Sequence, residues 1–98
     1  MSLILSRSAG QGLNIQDIET GVRSGLTVLS VRHGLARLVF DGQQPFELYV
    51  NQWAPHGGNL ELTVAVTGIN ASQVKLALDA PANVKIVRTE IANRGPRT

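Results

Sequence analysis

The 98-residue chain contains no cysteine. This excludes disulfides, thiolate zinc sites and a cysteine nucleophile. Its two histidines, His33 and His56, are too few and too far apart for a metal motif. Charge is sparse: nine Lys and Arg against seven Asp and Glu give a formal net charge of +2. Such a chain is no basic mass binder, so contact with nucleic acid must come from a few placed arginines. Four aromatic residues are thin for the stacking platforms of RRM or OB-fold RNA binders. Apolar runs fall well short of the roughly 18 residues of a membrane-spanning helix. The opening, MSLILSRSAG, has no basic n-region, and its apolar run is too short for a signal peptide. Gly10-Gln11-Gly12 lacks the following GK[ST] of a phosphate-binding loop. No Ser-His-Asp set or carboxylate pair suggests a hydrolase, so the expectation is a protein that is not an enzyme and takes no cofactor or metal.

What is present reads as strands. Leu26–Val31, Leu35–Phe40 and Phe46–Val50 are rich in β-formers. Leu60, Leu62, Val64 and Val66 alternate with polar or small residues and predict one buried face. Val74-Lys75-Leu76-Ala77-Leu78 and Val84-Lys85-Ile86 do the same, until Val87 breaks the second run. Turn signals separate these runs at Arg32-His33-Gly34, Asp41–Pro45, Asn70–Ser72 and Asp79–Asn83. The spacing predicts an all-β domain of half-buried antiparallel strands with no long helix. At the front, Leu3–Arg7 reads as a strand, turned at Gly10–Gly12 into a short return strand, Leu13–Ile15. Gln16–Gly25 is polar and reads as a loop or one helical turn. Trp53–Asn59, WAPHGGN, reads as a linker that Trp53 and Pro55 fasten to the body, with His56 as an exposed loop histidine beside Gly57 and Gly58. The tail from Ala92 to Thr98 reads as frayed, because Gly95 and Pro96 block a long helix.

Residues 26–53 align with 62–89 at a constant offset of 36. Leu26-Thr27-Val28 matches Leu62-Thr63-Val64, and Pro45 falls on Pro81. The shared tripeptide and proline favour a duplication, with 1–53 as a first, degenerate unit, 54–59 as linker and 60–98 as a second unit.

The second unit, LTVAVTGINASQVKLALDAPANVKIVRTEI, resembles the carbon storage regulator family (CsrA/RsmA), small bacterial RNA-binding translational regulators. The matching pieces are Gly68, Gln73-Val74, Ala80-Pro81 and Arg88-Thr89-Glu90-Ile91. The opening LILSRSAGQGLNI resembles the family's first strand and turn through Leu3, Ile4, Leu5, Ser6, Arg7, Gly10, Leu13 and Ile15. Departures are the length, Ser8 in place of a second arginine, and a C-terminal helix missing or cut short at Gly95-Pro96.

The resemblance implies strand-exchanged sheets in which an RNA site joins the first strand of one unit to the last strand of the other. It carries over Leu5 and Arg7 from the first strand, and Arg88 with Ile86 from the last. It further implies a cytoplasmic partner of mRNA leaders and small RNAs, preferring GGA in single-stranded or hairpin-loop sites and competing with translation initiation. By the 36-residue alignment, the second unit has no opening strand and Gln52 stands where Arg88 should recur. The expectation is a monomeric pseudo-dimer with one RNA site. The rival arrangement is an intertwined homodimer with residues 16–58 as an insertion. The rival function is a worn interaction module that pairs with other CsrA-like subunits, favoured by Ser8 and Gln52. Without the resemblance, Arg7 and Arg88 read as solvated strand arginines and Leu5 as core. Arg23, Arg32 and Arg37 read as solvated. Lys75, Lys85, Arg94 and Arg97 read as scattered surface charge that could touch phosphate.

Overall fold

The structure, a computed structural model, describes residues 2–58 and 60–88. The tail from Ala92, with Arg94 and Arg97, and the Thr89–Ile91 part of the family motif lie outside the described residues. Nine strands form without a helix among the described residues: β1 (Ser2–Ser8), β2 (Gly12–Asp17), β3 (Arg23–Arg32), β4 (Leu35–Phe40), β5 (Phe46–Tyr49), β6 (Trp53–Pro55), β7 (Thr63–Asn70), β8 (Gln73–Asp79) and β9 (Val84–Arg88). They build two antiparallel sheets, ordered β1-β8-β7-β6 and β5-β4-β3-β2-β9.

Period-2 alternation decides which side chains meet. Val64 and Val66 of β7, and Val74, Leu76 and Leu78 of β8, point inward from one sheet. Leu13 and Ile15 of β2, Leu26 and Val28 of β3, and Ala36, Leu38 and Phe40 of β4 point inward from the other. Together they form one core, each large side chain contributing about 1.5–3 kcal/mol by leaving water. Leu60 and Leu62 are buried as the alternation predicts, although β7 begins only at Thr63.

The expected hairpin of β1 and β2 does not form. β1 pairs with β8, whereas β2 lies between β3 and β9 in the other sheet. The strands at the chain's two ends are thus exchanged between sheets: β1 completes the sheet of β7 and β8, and β9 completes the sheet of β2 and β3. Gln16–Gly25 holds no helical turn. It finishes β2, turns, and starts β3. The turn is fixed by Asp17, whose Oδ1 accepts from the backbone N–H of Glu19 at 2.9 Å and of Thr20 at 3.3 Å. Hydrogen bonds from the Asn83 side chain and these amides hold its carboxyl below the usual range.

The two halves repeat one hydrogen-bond scheme, at a different offset from the sequence alignment. Val28 opposite Leu38 recurs as Val66 opposite Leu76, an offset of 38, and both hairpins slip register at the same place, Val28/Ser30 and Val66/Gly68. The left-handed turn residue His33 (φ 56°) recurs as Ala71 (φ 55°). Alternation has a period of 2, so an offset of 36 places the same faces inward as one of 38. Only the ladder separates them.

The 36-residue alignment makes β5 the close of the first unit; the ladder gives it another place. β5 pairs with β4 as β1 pairs with β8: Phe46 opposite Leu38 matches Leu5 opposite Leu76. The turns that follow are alike bond for bond. Ser8 N–H donates to Gln11 Oε1, and Tyr49 N–H to Gln52 Oε1, both at 2.9 Å. Gly10 N–H donates to Val28 O at 2.8 Å, and Asn51 N–H to Val66 O at 2.7 Å. Gly10 (φ 88°) and Asn51 (φ 71°) are both left-handed, where glycine is unstrained and asparagine is tolerated. Hence β1–β4 correspond to β5–β8. The second half does possess an opening strand, and Gln52 is the counterpart of Gln11, not of Arg88. Among the described residues, the strand without a counterpart is β9.

WAPHGGN is not a spacer. Trp53–Pro55 form β6, paired with β7 from Trp53 opposite Ala65 to Pro55 opposite Thr63. Trp53 does not fasten the segment: it is 65 % exposed. The side chain that does is His56, which is 5 % exposed and not the loop histidine expected. His56 N–H donates to Leu62 O at 2.8 Å, and its ring meets Phe40 edge-on at 4.7 Å between centroids. Its Nε2 lies 3.1 Å from Ser24 Oγ, and its Nδ1 accepts from Gly58 N–H at 3.1 Å. That acceptance places the ring proton on Nε2, which donates to Ser24 and ties the end of β6 to the opposite sheet. A Cβ on Gly58 would come within 2.8 Å of the ring, so glycine is needed there. Burial lowers the pKa of His56.

Candidate nucleic-acid interface

β1 and β9 are edge strands of different sheets, and their outer margins run beside each other. Between them lies a cleft of about 260 Å³ lined by Leu3, Ile4 and Leu5 of β1 and Ile86, Val87 and Arg88 of β9. Among the described residues neither strand has a second strand partner, so both turn backbone N–H and C=O groups toward open space. The cleft offers three chemical features: aliphatic walls, two unpaired strand edges and one guanidinium.

Leu5, Ile86 and Arg88 are brought together here. Leu5 is at once core and cleft floor, being 8 % exposed and within the hydrophobic cluster. Ile86 is half-buried and Arg88 is exposed. Arg7 is placed differently. It is 5 % exposed and does not line the cleft. Its Nε donates to Ser6 O at 2.8 Å, and its Nη1 to Gly12 O at 3.3 Å, across the turn that leads into β2. Leu5 and Arg7 share the inward face of β1, as strand periodicity demands.

Sequence reasoning passed over Leu3, Ile4 and Val87. A signal existed. Ile4, 61 % exposed, makes Leu3-Ile4-Leu5 apolar on both faces, and Val87 likewise interrupts the alternation of β9. Broken alternation occurs in the two strands that face each other across the cleft, where both faces of a strand are in use.

Residues 58–95 match the model of CsrA, the global regulator protein family. The matched CsrA-like segment is rather more than a third of the chain and contains β7, β8 and β9. It supplies one wall of the cleft, including Ile86 and Arg88. The other wall, β1 with Leu5 and Arg7, lies outside the matched residues. Comparison with curated proteins and with solved structures gave no match.

The counterpart of this cleft in the other half is incomplete. β5 stands where β1 stands, with Leu48 opposite Ala36 where Arg7 is opposite Val74. No described strand lies beside β6 in the place that β9 takes beside β2.

The ladder sets what the outer margin of β6 offers. Ile18 N–H donates to Asn83 O, and Asp17 N–H to Val22 O, so odd-numbered residues of β2 bond β3 while Asn14 and Gln16 bond β9. On β6, His56 N–H donates to Leu62 O and Gln52 O accepts from Val66 N–H, which leaves Trp53 and Pro55 facing outward. Pro55 is the counterpart of Asn14 and has no N–H to give an added strand.

Proposed function

We propose that this chain is a sequence-specific RNA-binding regulator of translation, working as a single-chain pseudo-dimer with one RNA site. The observation that carries the reading is the meeting of β1 and β9, from opposite ends of one chain, at a single cleft holding Leu5, Ile86 and Arg88. The CsrA-like match over 58–95 supports RNA as the partner. The preferred site is a GGA element in a single-stranded or hairpin-loop segment of an mRNA leader.

The chemistry follows from the parts. Unstacked bases lie against Leu3, Ile4, Ile86 and Val87, while strand-edge amides and carbonyls bond their Watson–Crick edges. RNA is read specifically where such edges are exposed, in loops and single strands. Arg88 presents a rigid fork to guanine O6 and N7 or to phosphate. Arg7 acts from below, fixing the β1–β2 turn through Gly12 O and holding a positive charge behind Leu5. A leader held this way is closed to an initiating ribosome, which gives repression by competition.

The margin of β6, beside which no described strand lies, favours a second reading, an interaction module that takes a strand from another CsrA-like subunit. Pro55 weighs against it by removing the donor that strand addition needs.

Native mass spectrometry with a hairpin RNA bearing GGA in its loop tests the proposal. One chain with one RNA is the expected complex. Two chains with two RNAs would replace the pseudo-dimer by an intertwined homodimer. No complex at micromolar RNA and moderate salt would overturn the RNA reading in favour of the interaction module.

A further inference from the structure

A second surface adjoins the cleft around β9. Val87 lines both the cleft and a separate pocket of about 320 Å³, whose other residues include Asn14, Gln16, Arg23 and Lys85. The registers set its order. Gln16 of β2 lies opposite Lys85 on one side and Arg23 on the other, so a cation, an amide and a second cation form one row across three strands. The next row runs Val87, Asn14, Gly25. Leu13 and Ile15 point into the core, which puts Asn14 and Gln16 on the outer face with Arg23 and Lys85, both exposed.

Among the described residues no carboxylate lines this pocket. Asp41 approaches the far end of the next row, its Oδ2 lying 2.7 Å from where a Cβ on Gly25 would stand. It covers Gly25 and bounds the patch away from β9. The other half shows that the row is no by-product of the fold. At the 38-residue offset the counterpart of Arg23 is Glu61. The counterpart of Gln16 is Gly57, and Lys85 has none. The same scaffold thus carries opposite charge where no complete cleft exists.

We infer that the Lys85–Gln16–Arg23 row binds a backbone phosphate of the RNA segment flanking the element in the β1/β9 cleft. This rests on the RNA reading of that cleft and specifies how the strand leaves it. The RNA crosses β9 at Val87 and sets a phosphate between the two cations, where the Gln16 and Asn14 amides add neutral donors. The two charges flank Gln16 from the strands on either side of β2, so their long side chains can close on one phosphate, and a phosphate contact positions the strand without reading sequence.

The test compares two single-stranded RNAs by fluorescence anisotropy: a core oligonucleotide containing GGA, and the same core extended by five uridines on each side. The wild-type chain should bind the extended RNA roughly five- to tenfold more tightly, with a steeper salt dependence by about 0.7 in log–log slope. Arg23→Gln/Lys85→Gln should lose that gain and that slope while holding the core RNA as tightly as wild type, with an unchanged melting temperature. Persistence of the gain in the double variant, or absence of any gain in wild type, overturns the inference. If wild type binds extended RNA but not the core, and the variant loses this, the phosphate row stands and the GGA reading falls. No binding of either RNA removes both.

Discussion

Arg7 and Leu48 occupy the same place in the two halves of the molecule: Arg7 lies opposite Val74 on β8, and Leu48 opposite Ala36 on β4. Both are buried. One position therefore holds a charged side chain bonded to Ser6 O and Gly12 O in the half that completes a cleft, and a plain aliphatic in the half that does not. A buried cation costs solvation, and hydrophobic replacement of buried charge is often neutral or stabilising; under the proposed RNA reading, the arginine serves the cleft.

Arg7→Leu, which copies Leu48, should therefore fold with a melting temperature within a few degrees of wild type. Its affinity for a GGA hairpin should fall by less than that of a variant at cleft-lining Arg88, because Arg7 supports the cleft from below through the β1–β2 turn. Thermal unfolding and an RNA titration on one sample check both halves of the expectation. Unchanged affinity would remove Arg7 from the site.

Arg88 is exposed and lines the cleft, so its substitution separates binding from folding more cleanly. Arg88→Ala should leave the unfolding transition in place and weaken RNA binding by about 1–3 kcal/mol, with Arg88→Lys recovering little because the bidentate fork is lost. A retained affinity in Arg88→Ala would take away the main assignment of the cleft.

Pro55 stands where Asn14 bonds β9. Pro55→Asn restores an outward N–H to the margin of β6, and an exposed edge with its donors intact invites pairing. Sedimentation should show wild type as a monomer at all concentrations and Pro55→Asn associating as concentration rises. A wild-type dimer would return the intertwined arrangement.

His56 should make stability fall in mild acid. Its pKa is lowered by burial from the ordinary 6.5, so the unfolded chain binds a proton that the folded chain resists. The contribution is complete above about pH 6.5 and declines as pH falls from there toward the depressed folded value. Wild type should lose melting temperature between pH 7.5 and 5.5, and His56→Leu should lose less over the same interval. His56→Ala at pH 7.5 should cost about 2–4 kcal/mol, since it opens a cavity beside Phe40 and strands Ser24 Oγ.

Much of the fold was legible in local pattern. Alternation at Leu60–Val66 and Val74–Leu78 named the inward side chains, and Gly34, Asp41-Gly42 and Ser72 marked turns that form. The cleft residues Leu5, Ile86 and Arg88 came through family resemblance. Ile4 and Val87 were visible only as flaws in the alternation. His56 was illegible: a histidine between proline and two glycines reads as loop until Phe40 and Ser24 of the opposite sheet close around it.

Side chains two to four residues apart suffice to make this chain all-β, to choose which faces of its strands are buried and to place its turns. Tertiary structure alone decided which edges meet. Backbone hydrogen bonds are the same for every residue except proline, so no pattern announces that β1 leaves β2 for β8, or that β5 takes the place of an opening strand. Shifts of two residues preserve facing, so the offset of 38 rather than 36 was settled by the ladder. The burial of Arg7 and the joining of the chain's two ends at one cleft follow from that choice of partners.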